Sequence, residues 1–174
     1  MIDLNAYCAS RFDSRAAMRS PYRDGDLIVA TDGRIMIVID TRDWTGIADA
    51  YQHVTQAGLP SFHQLDRYAP GPVWHRLADI ELPSAVTCGL CSGSGIIELG
   101  NDEEPCLECN GDGELLEWVF VGAVALNTRY LRLIAALPGC EIAPSERHTP
   151  APFRFNGGHG WLMPINIAPT KAAA

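Results

Sequence analysis

The sequence predicts an α+β fold built on antiparallel pairing, and three observations carry that expectation. The apolar runs "LIVA" (27–30) and "IMIVI" (35–39) flank the turn signal Asp32-Gly33, as two strands of a hairpin do. The closing segment "APFRFNGGHGWLMPINI" alternates, breaks at Asn156-Gly157-Gly158 and resumes as a second strand. Between them, "NTRYLRLIAALPG" (127–139) reads as a helix, with Asn127 or Thr128 as N-cap and Pro138-Gly139 as its stop.

The 174 residues are 47% apolar and 20% charged, enough for one globular domain with a small appendage. No run approaches the roughly 18 apolar residues of a membrane span. The start "MIDLNAYCAS" has no basic stretch leading into an apolar one, so the expected location is the cytoplasm. A net charge of -8 argues against a protein that coats nucleic acid with its whole surface. Of the 13 basic residues 12 are arginine, with Lys171 the exception. That share fits phosphate contacts or simply the codon usage of a GC-rich genome.

Residues 5–19, "NAYCASRFDSRAAMR", are expected to form a first helix with Asn5 as its N-cap. Arg11, Arg15 and Arg19 would then form one basic stripe at i, i+4 and i+8, with Cys8, Phe12 and Ala16 beside it. The stripe suits either a phosphate-facing surface or a solvated face with local partners such as Asp13. The strand pair around Asp32-Gly33 follows. From Thr41 to Pro83 the pattern weakens: "TGIADAYQHVTQAG" is a short helix candidate and a proline-bearing loop follows. His53, His63 and His75 fall in this stretch without any ligand or catalytic spacing. Cys8 and Cys140 stand apart and read as small buried hydrophobes.

Four cysteines lie in "CGLCSGSG" and "CLECNGDG", two octets of the form C-x-x-C-x-G-x-G. The two-residue gap lets Cys88 and Cys91, and likewise Cys106 and Cys109, turn toward one ion. Four thiolates in two such pairs suit a tetrahedral Zn2+ site. Gly93, Gly95, Gly111 and Gly113 permit the tight reversals of a knuckle. The 14 residues between Cys91 and Cys106 include the strand-like "IIEL" and turn-like "GNDEEP", which predicts a hairpin with its ligands at the base. Four cysteines leave no coordination position for water or substrate, so one structural zinc is expected, against the alternatives of two disulfides or free thiols. After the second octet, "ELLEWVFVGAVAL" is strand-rich. In the helix that follows, Tyr130, Leu131, Ile134 and Leu137 form the apolar face, while Arg129 and Arg132 point elsewhere.

The cysteine segment resembles the cysteine-rich region of J-protein chaperones, which repeats the same octet. Those proteins carry four repeats and a histidine-proline-aspartate tripeptide, and this chain has two repeats and no such tripeptide. The resemblance implies only a role for the hairpin in binding peptide.

With that segment set aside, the chain resembles one domain of the bacterial sliding clamp, the beta subunit of DNA polymerase III. Three segments carry the likeness in the family's order: "FDSRAAMRSPYRDGDLIVATDGRIMIV", "FVGAVALNTRYLRLIAALPG" and "FRFNGGHGWLMPINI". The resemblance implies a clamp-like domain over 1–42 and 117–170, with an antiparallel sheet and two helices. Residues 43–116 would be an insertion carrying the zinc hairpin at about 86–116. It also implies that Arg11, Arg15, Arg19, Arg129 and Arg132 face the backbone of double-stranded DNA. Leu162, Met163 and Pro164 would lie where the family receives peptide motifs of replication proteins. A clamp protomer strings several such domains together and this chain has one, so a ring would need self-association of copies.

The sequence has no Ser-His-Asp order in a recognisable elbow, no phosphate-cradling G-x-x-x-x-G-K and no paired carboxylates in a credible pocket. The chain is therefore expected to be non-enzymatic, with no small-molecule substrate: a DNA-associated, clamp-like replication protein. The alternative is a zinc-stapled adaptor or inhibitor, of phage or mobile-element type, that binds a replication or other host protein without touching DNA.

Overall fold

A computed structural model describes residues 2–44, 65, 67–100 and 102–167. The helix expected within 45–58, with His53, His63 and Lys171, lies outside the described residues. The fold is α+β. Its main sheet contains β1 (Tyr22–Asp24), β2 (Leu27–Thr31), β3 (Ile35–Asp40), β4 (His75–Arg76), β9 (Glu141–Ile142), β10 (Ala151–Phe155) and β11 (Gly158–Leu162). Their order across the sheet is β1-β2-β3-β11-β10-β9-β4, and each neighbouring pair is antiparallel. Two smaller pairs stand apart from it: β5 (Ile96–Leu99) with β6 (Asp102–Pro105), and β7 (Trp118–Val121) with β8 (Val124–Asn127).

The strand alternation explains the two faces of the sheet. Ile28, Ala30, Ile35, Ile37 and Ile39 point to one side, where they join Phe153, Leu162 and the helix in the principal core. Val29, Met36, Val38 and Trp161 point to the other, where Tyr22 joins them in a smaller cluster. The turn between β2 and β3 is held by Asp32, whose Oδ1 accepts from the backbone N–H groups of Arg34 and Ile35 at 2.7 and 3.0 Å. This Asx geometry is the reason Asp-Gly suits the position.

The helix α1 (Thr128–Ala135) starts where expected, with the Asn127 side chain accepting the Arg129 N–H at 2.8 Å. It buries Tyr130, Leu131 and Ile134 against the sheet. The buried Tyr130 hydroxyl donates to Asp32 Oδ2, which ties the helix to the β2–β3 turn.

The first helix does not form, and α1 is the one α-helix among the described residues. Residues 5–19 hold only two 3-10 turns, Leu4–Tyr7 and Ala16–Met18, the first capped by Asp3 rather than Asn5. Asp13 accounts for the interruption. Its carboxylate takes the backbone N–H of Arg15, and its carbonyl takes the Arg19 guanidinium in place of a helical N–H. The Ala9 N–H donates to the Met18 carbonyl at 2.8 Å, so the segment closes into a loop. Side-chain bonds to nearby backbone here outcompete a helix ladder. Arg11, Arg15 and Arg19 consequently do not form an i, i+4, i+8 stripe.

His75–Arg76, in the stretch assigned from sequence to the insertion, is an edge strand of the main sheet, and Leu77 beside it is buried in the principal core. No helix among the described residues is long and apolar enough to cross a membrane.

Candidate metal centre

The two octets fold as near-copies of each other. In the first, the Gly93 N–H donates to the Cys88 carbonyl and the Ser94 N–H to the Cys91 carbonyl. In the second, Gly111 and Asp112 donate likewise to Cys106 and Cys109. The copies are cross-linked by backbone, Cys88 N–H to Gly113 O at 2.9 Å and Cys106 N–H to Gly95 O at 2.8 Å. This reciprocity explains the last glycine of each octet. A Cβ on Gly95 would lie 2.3 Å from the Gly111 carbonyl oxygen, and one on Gly113 would lie 2.4 Å from that of Gly93. Both also sit at positive φ, 74° and 76°, so any side chain there would be both strained and blocked.

The result is a cluster of four buried sulfurs. Cys88 Sγ and Cys106 Sγ are 3.7 Å apart, as are Cys91 Sγ and Cys109 Sγ, and all four lie within 4.8 Å of one another. A tetrahedron with metal–sulfur bonds of about 2.3 Å has edges of about 3.8 Å. The two shorter separations already match that edge, and the site can hold one metal ion. All six cysteines of the chain are free, and a disulfide would need sulfurs about 2.05 Å apart. The Gly95 and Gly113 N–H groups each donate to a cysteine sulfur, Cys91 and Cys109, at 3.2 Å. Such bonds favour the thiolate that a metal requires. The Cys88 thiol donates to Glu108 Oε2 at 3.2 Å.

Ile97 and Leu115 pack on the sulfur cluster, and β5 and β6 extend from it in antiparallel register, Ile96 opposite Pro105 through Leu99 opposite Asp102. At its base the segment is tied down by the Leu115 N–H to Val86 O bond at 2.8 Å and the Thr87–Glu114 bridge.

Acidic side chains fasten this arm to the rest of the chain, and their partners are Arg34 and three of the arginines singled out from sequence, Arg11, Arg129 and Arg132. Arg129 Nη1 lies 3.2 Å from Asp112 Oδ1, and its Nε lies 3.7 Å from Glu114 Oε1. Arg132 pairs with Glu114 and also donates to the Pro83 carbonyl at 3.0 Å. Arg34 lies 3.8 Å from Asp112, and Arg11 pairs with Glu103 on β6. Arg15 is held by Asp13 and the Asp32 carbonyl, and Arg19 by the Asp13 carbonyl. All five expected DNA-facing arginines thus have partners within the chain.

Burial raises the Asp112 carboxyl above its ordinary range, against the pull of Arg129 and Arg34. Asp112, Glu114 and Glu103 were not legible as arginine partners from helical spacing. The signal available was the absence of any Lys or Arg between Cys88 and Glu114.

The three residues of the expected partner groove separate. Leu162 is core, whereas Met163 is 42% exposed. Met163 and Pro164 line a cleft of about 260 Å³ with Arg34, Asn110, Leu116 and Tyr130, between the second knuckle and the sheet. Cys140 is buried, and burial raises its thiol pKa to about 12. Cys8 is half-buried against the principal core.

Compared with models of protein families, with curated proteins and with solved structures, the chain matches none.

Proposed function

We propose that this protein is a non-enzymatic adaptor whose cysteine arm is stapled by one structural Zn2+ and presents a surface to a protein partner. The observation that carries this reading is the enclosed four-sulfur cluster, whose burial and full set of cysteine donors leave no open position for a reacting water or substrate. Cysteines Cys88, Cys91, Cys106 and Cys109 would hold the ion. Zinc suits a tetrahedral all-sulfur site and carries no redox chemistry of its own. The arm leaves Leu90, Leu99 and Leu107 exposed, Leu107 at 85%. These leucines are available for the apolar contacts that a protein partner would make.

A second reading is clamp-like association with double-stranded DNA in replication, through Arg11, Arg15, Arg19, Arg129 and Arg132. The observation favouring it is the convergence of Arg15, Arg34 and Arg129 on one cleft of about 290 Å³. DNA would have to displace Asp13, Asp112 and Glu114 from these arginines, which is why the adaptor reading stands first.

The deciding experiment uses the zinc-loaded full chain and a variant lacking residues 96–105. A protein that co-purifies with the full chain and is lost with the arm supports the adaptor. Salt-sensitive retention of a DNA duplex, abolished by Arg11→Glu with Arg15→Glu, supports the clamp-like reading instead.

A further inference from the structure

The protein's charge is sharply segregated. The stretch 88–114 contains seven of the 21 acidic residues and none of the 13 basic ones, which leaves 14 acidic against 13 basic residues elsewhere. Nearly all of the net charge of -8 therefore belongs to the cysteine arm. On β5 and β6 the arrangement is costly, because Glu98 and Glu103 stand directly opposite each other in the register. Like charges at such a cross-strand position repel and weaken the pair.

One group relieves that repulsion from outside the arm. Arg11 reaches from the N-terminal loop to Glu103, with its guanidinium carbon 4.8 Å above the centre of the Phe12 ring. Phe12, Glu98, Gly100, Asp102 and Glu103 line an open cleft around it, of about 520 Å³. Arg11 itself remains 63% exposed, so a competing group can reach the place it occupies. Within the same arm Leu99 is 57% exposed and Leu107 85% exposed. Among the described residues β5 and β6 pair only with each other, so each has an open edge.

We propose that the β5–β6 arm docks an arginine-bearing apolar segment of a partner protein, and that Arg11 occupies one guanidinium position in cis until the partner displaces it. Charge complementarity sets the sign of the occupant. The aromatic face of Phe12 beside paired carboxylates favours a planar guanidinium over an ammonium. Strand alternation puts Leu99 on the face opposite Glu98 and Glu103, so a segment laid along an open edge with arginine and apolar residues in alternation meets the carboxylates on one face and Leu99 on the other. This inference rests on the adaptor reading and names the chemistry of its partner.

The test uses the metal-loaded full chain and a fluorescein-labelled ten-residue peptide that alternates arginine with leucine, read by anisotropy. A peptide with glutamate in place of arginine is the control. Binding should weaken about tenfold in the Glu98→Gln, Glu103→Gln double variant, which removes the repulsion and so leaves the arm folded. It should tighten about threefold in Arg11→Ala, where the cis occupant is gone. Equal affinity in all three proteins, or equal binding of the glutamate peptide, overturns the proposal. Metal content of the same samples separates the two levels. A chain that holds one metal and ignores the arginine peptide overturns this inference alone, whereas a chain that holds no metal overturns the reading beneath it.

Discussion

Arg129 on α1 lies 3.2 Å from Asp112, which follows the last cysteine of the sulfur cluster by three residues. The helix that closes the hydrophobic core is thereby joined to the knuckle that closes the cysteine cluster. Glu114, two residues on, engages both Arg129 and Arg132.

Glu114→Gln should loosen this junction more than Asp112→Asn. The Glu114 change weakens two partly buried pairs at once, taking the carboxylate from Arg132 and leaving Arg129 to Asp112. Asp112 ionises against the penalty of its own burial, so its neutral form costs the fold little. Denaturant melts should show a loss of about 1–3 kcal/mol for Glu114→Gln and less than about 1 kcal/mol for Asp112→Asn.

Zinc should bind one per chain. Its removal by a chelator, or Cys88→Ser, should abolish amide-exchange protection across residues 86–116 while β2 and β3 stay protected, because their core is separate from the sulfur cluster. Structural zinc is worth on the order of 10 kcal/mol to a small fold. Unchanged exchange in metal-free protein would sink the structural-metal claim.

Gly95→Ala and Gly113→Ala should each lower metal affinity at least about tenfold, since both the reciprocal carbonyl contacts and the positive φ forbid a Cβ. Gly89→Ala, where a Cβ meets nothing within 4 Å, is the matched control. Competition with a chromogenic chelator reads all three.

Tyr130→Phe should cost about 1–2 kcal/mol, because it removes the hydroxyl that donates to Asp32 while leaving the ring packed. Thermal unfolding of the two proteins, each loaded with metal, checks the value.

The loop at residues 9–18 should respond to acid. Hydrogen bonds from the Arg15 side chain, then its backbone N–H, hold the Asp13 carboxyl at about 2, below the ordinary value of 3.8. A depressed folded pKa gives stability that is present above the unfolded value and lost as pH falls through the folded one. The protection of the Ala9 amide, measured against the intrinsic exchange rate at each pH, should therefore fall from about pH 4 down to about pH 2. Asp13→Asn should remove that dependence, and a variant with an unchanged profile would show that Asp13 does not close the loop.

Much of the fold was legible because its signals are local. Asp32-Gly33 set the β2–β3 turn, Asn127 capped α1, and the alternation in 151–167 marked β10 and β11. The expected helix over 5–19 does not form because spacing alone hides competition: Arg11, Arg15 and Arg19 recur at helical intervals, while Asp13 offers the backbone and two arginines a better set of bonds. The arginine stripe inferred from that helix went with it.

By itself the sequence determined the four cysteines, the glycines that shape both knuckles, the strand alternation and the cap of α1. Each follows from steric or hydrogen-bonding demands that act within a few residues. Only the tertiary structure decided that Gly95 meets Gly111 and Gly113 meets Gly93, and that Asp32 finds Tyr130. It alone also paired Arg129 and Arg132 with Asp112 and Glu114. Those relationships join segments brought together by burial of the core and closure of the sulfur cluster. A side chain's local spacing states what it can reach, whereas its partner depends on which distant segment the packed fold places there.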